Sequence, residues 1–261
     1  MINLLIGLAS GLFGGLVGLG GGVIMIPLMV GILKMSQHMA GGTSLVALVF
    51  TGISGAFTYS LNGSVDLLAS LLLASTAIFT ARAGARYANA LPEWKLKKFF
   101  GGFIILTSLL LLLKPYLYHV DEPATGWLKV AFLLLTGVLT GFLSGMMGVG
   151  GGTIMVPSMV LLTGFTQYAA QGSSLLAMVP VGIVGAYTHW RLENVNTGIL
   201  PGLIPGIMLG TYLGGSLAHF MPEGVLRIVF ATVLIWTGVK YLKTPKPLPG
   251  KESIIVEKEV I

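Results

Sequence analysis

One eleven-residue phrase occurs twice in this chain. "VGLGGGVIMIP" begins at Val17 and "MGVGGGTIMVP" at Met147. Glycine costs about 1 kcal/mol per helix position relative to alanine, so such a run breaks any helix that contains it. Pro27 and Pro157 fit the early turns of a helix that restarts after the break. Any fold proposed for this chain must therefore accommodate the same broken element at two places.

The repeat extends well beyond the phrase. Residues 7–113 align without a gap on residues 137–243, and about a third of the paired positions are identical. "AGGTSLVALVFTGISGAFTY" lies over "AQGSSLLAMVPVGIVGAYTH", and "ALPEWKLKKFF" over "FMPEGVLRIVF". Duplication of this kind is a mark of repeat-built transporters. Each half carries four apolar segments. Repeat 1 (1–120) has them at 3–33, 41–60, 66–88 and 99–118. A loop at 121–127 leads to repeat 2 (128–244), with segments at 128–163, 171–190, 197–219 and 224–243. The Pro- and charge-rich tail 245–261 reads as a disordered cytoplasmic end.

Composition sets the solvent. Hydrophobic residues make up 54% of the chain and charged residues 9%, against about 25% charged in soluble domains. The expected class is an all-α polytopic membrane protein. The chain has no cysteine, which excludes disulfides and thiolate metal sites. The net charge of +6 reads as cytoplasmic Lys and Arg rather than a nucleic-acid footprint. The first residues lack the charged start and small-residue cleavage site of a signal peptide.

The opening segment of each half is too long for one simple span. Thirty-one helical residues run roughly 46 Å, against about 30 Å of hydrocarbon. As one long span, it gives four crossings per half and parallel halves. As a hairpin that enters and returns, it gives three crossings and inverted halves; two steeply packed helices give the same parity. The hairpin gathers Lys34, Arg82, Arg86, Lys95, Lys97, Lys98, Arg191 and the tail lysines on one side and leaves Lys114, Lys129 and Arg227 opposite. The long span divides the charges almost evenly. The positive-inside rule favours the hairpin, inverted repeats and both termini in the cytoplasm of a bacterial or archaeal cell.

Non-helical backbone at membrane depth is tolerated inside protein or beside a cavity. A helix that restarts there aims free N–H groups and its positive dipole end at whatever fills the space, which favours an anion. The expected ligand groups are those of Gly20, Gly21, Gly22 and Val23, and of Gly150, Gly151, Gly152 and Thr153. A second helix start follows in each half, at Gly42, Thr43 and Ser44 and at Gly172, Ser173 and Ser174, where hydroxyls add donors. Close helix packing through small residues is the competing reading of the glycines.

At these residues the sequence resembles the TauE/SafE family of sulfite and organosulfonate exporters. "GLFGGLVGLGGGVIMIPLMV", its copy in the second half, and "GARYANALPEWKLKKFFGGFIIL" carry the resemblance, which spans nearly the whole chain. It implies a permease of small sulfur-containing anions such as sulfite, thiosulfate or a sulfonate. The family motif falls on Gly18, Gly20, Gly21, Gly22 and Pro27, and on Gly148, Gly150, Gly151, Gly152 and Pro157.

The remaining polar residues each read two ways. Arg82 and Arg86, one turn apart, are an anion relay or snorkel to the interface. His189, paired by the repeat with Tyr59, carries a coupling proton or simply sits at the interface. Gln37 and Gln167 cap a helix or reach the ligand. Arg191 and Glu193 read as a loop pair. Asp66 and Asn196 read as helix caps, and Glu93 and Glu223 as acidic residues at a helix start. No carboxylate falls mid-span, and no catalytic signature, metal cluster or cofactor motif is present, so neither enzyme activity nor a cofactor is expected. The expected partners are a small anion and the lipid bilayer. A coupling ion (H+ or Na+) and a homo-oligomer are left open. An anion-selective channel of the same fold is the alternative to an alternating-access transporter.

Overall fold

The computed structural model describes residues 1–87, 93–113 and 125–244. The tail 245–261, the start of the inter-repeat loop at 121–124, Lys114 and the side chains of Gln37, Glu93, Lys95 and Lys97 lie outside the described residues. The described chain is α-helical throughout: α1 (Ile2–Val17), α2 (Gly22–Ile32), α3 (Gln37–Ser60), α4 (Leu67–Tyr87) and α5 (Glu93–Leu113), then α6 (Gly126–Met147), α7 (Gly152–Leu162), α8 (Gln167–Arg191), α9 (Leu200–His219) and α10 (Glu223–Leu242). A single 3-10 turn, Thr197–Ile199, leads into α9. Six helices (α3, α4, α6, α8, α9 with its preceding turn, and α10) are long and apolar enough to cross a bilayer. This is a multi-pass membrane protein.

Each opening segment is two helices. Gly18 and Gly148 end α1 and α6 in the left-handed conformation, with φ of 71° and 68°, which glycine adopts without penalty. The capping N–H groups bond to Gly14 O and Ser144 O. α2 and α7 restart four residues after these caps, and Pro27 and Pro157 lie within them.

The helix directions follow from which backbones touch. On α1, Gly7, Gly11 and Gly15 face Leu203, Ile207 and Thr211 of α9 in ascending order, so α1 and α9 are parallel. On α6, Gly137, Gly141 and Gly145 face Leu73, Ala77 and Ala81 of α4, also in parallel. α3 and α8 run antiparallel: Gly52 meets Leu175, and Gly182 meets Val49 and Leu45. α5 and α10 are antiparallel through Gly101 and Gly238. α3 parallels α9, since Ser54 bonds to Met208 O and Thr58 packs on Gly215. These relations place α1 and α3 opposite in direction to their counterparts α6 and α8. The two halves are therefore inverted. α2 returns toward the side on which α1 starts, because its second half (Ile26, Pro27, Val30) meets the end of α10 at Trp236 and Lys240.

The halves are also interleaved. The first helix of each repeat packs mainly on the fourth helix of the other repeat. A Cβ on Gly11 would stand 2.4 Å from Ile207 O, one on Gly210 2.3 Å from Leu8 O, and one on Gly141 2.2 Å from Ala77 O. Bare backbone faces bare backbone along these seams, as small-residue contacts allow in a membrane.

A side chain cannot enter either seam without separating the helices. Gly141→Val and Gly210→Val are each expected to cost about 1–3 kcal/mol or more, as overpacking does. The melting temperature of the detergent-purified protein measures it. Gly102 has nothing within 4 Å of the same position, so Gly102→Ala should leave melting unchanged or raise it through helix propensity.

Candidate functional site

The two glycine breaks meet at the pseudo-two-fold axis. A Cβ on Gly22 would stand 2.7 Å from Val149 O, and one on Gly152 2.2 Å from Gly18 O. Gly20 and Gly150 both approach the side chain of Leu48 in α3. Gly20, Gly21 and Gly150 have φ of 81°, 80° and 90°, whereas Gly151 has φ of −81°. The homologous helix starts thus differ in conformation at one matching position. The N–H groups of Gly22, Val23, Gly152 and Thr153 are buried, and neither helix has a side-chain cap or another acceptor for them among the described residues. A void of about 10 Å3 beside Gly14, Gly21 and Val23 has room for roughly one water molecule and not for an oxyanion. The axis is closed in this conformation.

Three further donors lie at these helix starts. The hydroxyls of Ser10, Thr140 and Thr153 are buried and have no hydrogen-bond partner. Ser10 adjoins Gly21, whose Cβ position is 2.6 Å from Ser10 O, and the Thr140 methyl is 2.5 Å from that of Gly151. Ser10 and Thr140 are repeat equivalents. A hydroxyl on a helix in apolar surroundings ordinarily bonds to a carbonyl one turn back, and buried polar groups are ordinarily paired. These three exceptions lie in or beside the two glycine breaks, and Thr211 of α9 is a fourth buried hydroxyl without a partner among the described residues. Sequence reasoning did not single out Ser10 or Thr140, although both positions of the pair carry a hydroxyl.

The second set of expected site residues is engaged elsewhere. Ser44 Oγ lies 2.6 Å from Gly148 O and 2.7 Å from Gly41 O. Ser174 Oγ lies 3.2 Å from Gly18 O and 2.8 Å from Gln171 O. Each hydroxyl clasps the break of the other repeat. Thr43 Oγ1 accepts from Asn196 N–H at 2.9 Å, and Ser173 Oγ from Asp66 N–H at 2.8 Å. Gly42 and Gly172 admit the same two connections: their Cβ positions are 2.0 Å from Asn194 O and 2.1 Å from Ser64 O. In this conformation these six residues hold the halves together.

Tyr59 and His189 are equivalent in position and in contact. Tyr59 Oη lies 3.0 Å from Gly15 O and 2.8 Å from Gln171 Oε1, while His189 Nε2 donates to Gly145 O at 3.0 Å. His189 Nδ1 is left without a partner. His219, which the sequence reading did not weigh, stacks on Tyr168 with ring centroids 5.4 Å apart and meets Tyr59 edge to face at 4.7 Å. Gln167 is buried with both side-chain polar atoms unpartnered, and its N–H donates to Glu223 Oε1 at 2.8 Å. Thr166 and Ser36, rather than the glutamines, supply the side-chain caps of α8 and α3. Asp66 and Asn196 cap as expected, accepting from Ala69 and Gly198. Glu223 lies in the first turn of α10 while its carboxylate caps α8. Arg82 and Arg86 are exposed and away from the axis, beside Arg191, which meets the Tyr187 hydroxyl at 3.4 Å rather than Glu193.

The clasps make a stability prediction. Ser44→Ala with Ser174→Ala leaves Gly148 O and Gly18 O without their hydroxyl donors, at about 1–3 kcal/mol for each buried group. Melting of the double variant should fall clearly below wild type, and Ser→Thr at both positions should recover part of the loss.

The comparisons with known proteins point to a membrane transporter. The family described as Sulfite exporter TauE/SafE matches residues 3–241. YunE of Bacillus subtilis, named a probable membrane transporter protein, is 28% identical over 218 residues, covering 75% of this chain and 80% of that protein. YdhB of the same organism, similarly named, is 25% identical over 240 residues, with 90% and 97% coverage. MJ0441 of Methanocaldococcus jannaschii, again a probable membrane transporter protein, is 28% identical over 164 residues, or 60% of each chain. No solved structure matches the chain. Both the family and these relatives are described as membrane transporters and not as enzymes. With re-entrant glycine breaks in two inverted halves and a family match over almost its whole length, this chain belongs to the TauE/SafE sulfite exporter family.

Proposed function

We propose that the protein is a secondary transporter of a small anion of the sulfur oxyanion or organosulfonate class, working by alternating access across the cytoplasmic membrane. The observation that carries this reading is the set of unpartnered buried hydroxyls of Ser10, Thr140 and Thr153 beside the orphan N–H groups of Gly22, Val23, Gly152 and Thr153. The N–H groups can only donate, the hydroxyls can donate as well, and two helix N-termini add positive dipole ends. Such a site selects a small oxyanion. The family description narrows the class to sulfur anions. Because the breaks are packed against each other, a ligand enters only when the halves part, which favours a carrier over an open channel. The clasping hydroxyls of Ser44 and Ser174 become free donors when that happens.

Orientation follows from charge. Lys34, Arg82, Arg86, Arg191, Lys240 and Lys243 fall at one end of the bundle, and Lys129 and Arg227 at the other. The positive-inside rule assigns the first end, with both termini, to the cytoplasm. With no native cysteine, Thr244→Cys should be labelled by an impermeant maleimide only after permeabilisation, and Thr125→Cys in intact cells.

The test of the site is thermal stabilisation by sulfite, thiosulfate, sulfate, sulfoacetate, taurine, chloride and phosphate. A ligand at one hundred times its Kd stabilises by about 2.7 kcal/mol. Ser10→Ala with Thr140→Val should leave melting without ligand equal to or above wild type, because an unpaired buried hydroxyl stabilises nothing. The same variant should lose the ligand-dependent shift and counterflow uptake in proteoliposomes. An unchanged shift in the double variant overturns the site.

A further inference from the structure

We propose that the groove between α4 and α8 binds the headgroup of an anionic phospholipid. The groove has a volume of about 600 Å3, within the range of small-molecule sites, and is lined by Arg82 and Arg86 from α4 and by Ile183, Tyr187 and Arg191 from α8. The three arginines form no ion pair with a carboxylate among the described residues. Three guanidinium groups around one cavity repel each other unless an anion sits between them. Their planar forks match a phosphate.

Two features select a lipid over a soluble anion. The groove lies on the outside of the bundle and its apolar walls are lipid-facing: Ile183 is 53% exposed and Tyr187 54%. Phe79, 78% exposed, stands about one turn before Arg82 on α4 and continues the apolar surface toward the bilayer interior. A headgroup held by the arginines therefore leaves acyl chains against Phe79 and Ile183, with Tyr187 at the interface.

The inverted repeat supplies an internal comparison. The counterparts of Arg82, Arg86 and Arg191 on the opposite face are Tyr212, Ser216 and Leu61. The fold builds the α4–α8 seam twice, as α9–α3, and places cations in one copy only. Arg86 and Arg191 stand in the last turns of their helices, where a cation offsets the dipole. Arg82 stands a turn deeper, where that role does not apply. Basic pockets between membrane helices on the cytoplasmic side hold anionic headgroups on the same physical grounds.

Native mass spectrometry of the intact detergent-purified protein tests this, with phosphatidylglycerol and phosphatidylcholine as probes. Wild type should retain phosphatidylglycerol at least tenfold more tightly than phosphatidylcholine. Arg82→Gln with Arg86→Gln and Arg191→Gln should abolish that preference, and Arg227→Gln, on the opposite face, should keep it. Single Arg82→Gln, an exposed substitution, should weaken binding severalfold while melting stays at the wild-type value, which separates headgroup binding from misfolding. Equal retention of the two lipids by wild type overturns the proposal, and so does phosphatidylglycerol binding that survives the triple substitution. Displacement of phosphatidylglycerol by inorganic phosphate or glycerol phosphate at equal concentration also overturns it, and assigns the groove to a free anion. The readout is lipid retention, so the result stands apart from whether sulfur anions bind at the axis.

Discussion

The structure depends on backbone lying directly against backbone. Inside a bilayer, lipid tails are as apolar as leucine, so hydrophobicity alone does not draw one helix to another. What remains is dispersion at close range and the hydrogen bonds that close range permits. Gly7, Gly11 and Gly15 of α1 and Gly206, Gly210 and Gly214 of α9 each lie against backbone of the other helix and bring the two to that range, and Gly137, Gly141 and Gly145 do so for α6 against α4. Because the first helix of each repeat docks on the fourth helix of the other, neither half completes its own packing. The close seams then position everything nearer the axis.

Once the seams are set, the polar chemistry becomes possible. α3 and α8 begin beside the break of the opposite repeat, so Ser44 reaches Gly148 O and Ser174 reaches Gly18 O. These carbonyls end α1 and α6 and have no continuing helix to accept from. The hydroxyls satisfy them at membrane depth, where an unsatisfied carbonyl costs several kcal/mol. The breaks are thus held by groups that belong to the other half.

Much of this was legible in the residues. The 130-residue offset revealed the duplication, and the charge distribution pointed to the inversion that the antiparallel glycine contacts of the equivalent helices α3 and α8 display. The capping roles of Asp66 and Asn196 were also readable, because a cap acts within three residues of itself. Partners from the other half were not. Thr43 and Ser44 look like free donors in the sequence, and their true partners at 196 and 148 are more than a hundred residues away. Arg191 looked like the neighbour of Glu193, but helical spacing turns it toward Tyr187 and the α4 arginines. The Ser10 and Thr140 pair carried a detectable signal: two hydroxyls at matching positions of glycine-rich, mostly apolar helices. Their lack of partners depends on every neighbouring atom, which no single helix reveals.

The departure from symmetry at the axis bears on mechanism. Gly21 and Gly151 occupy matching positions, yet one is left-handed and the other right-handed. Equivalent residues of an inverted repeat see opposite faces of the membrane. If the halves rock, the environment of Gly21 on one side becomes that of Gly151 on the other, so the two conformations exchange. Glycine is the residue that makes both conformations accessible at low cost. Ser10 and Thr140 lie against these two glycines through the Ser10 carbonyl and the Thr140 methyl, so a change of backbone there shifts both residues. Under the alternating access proposed above, the opposite state would have the two glycine conformations interchanged. The donor set is common to both.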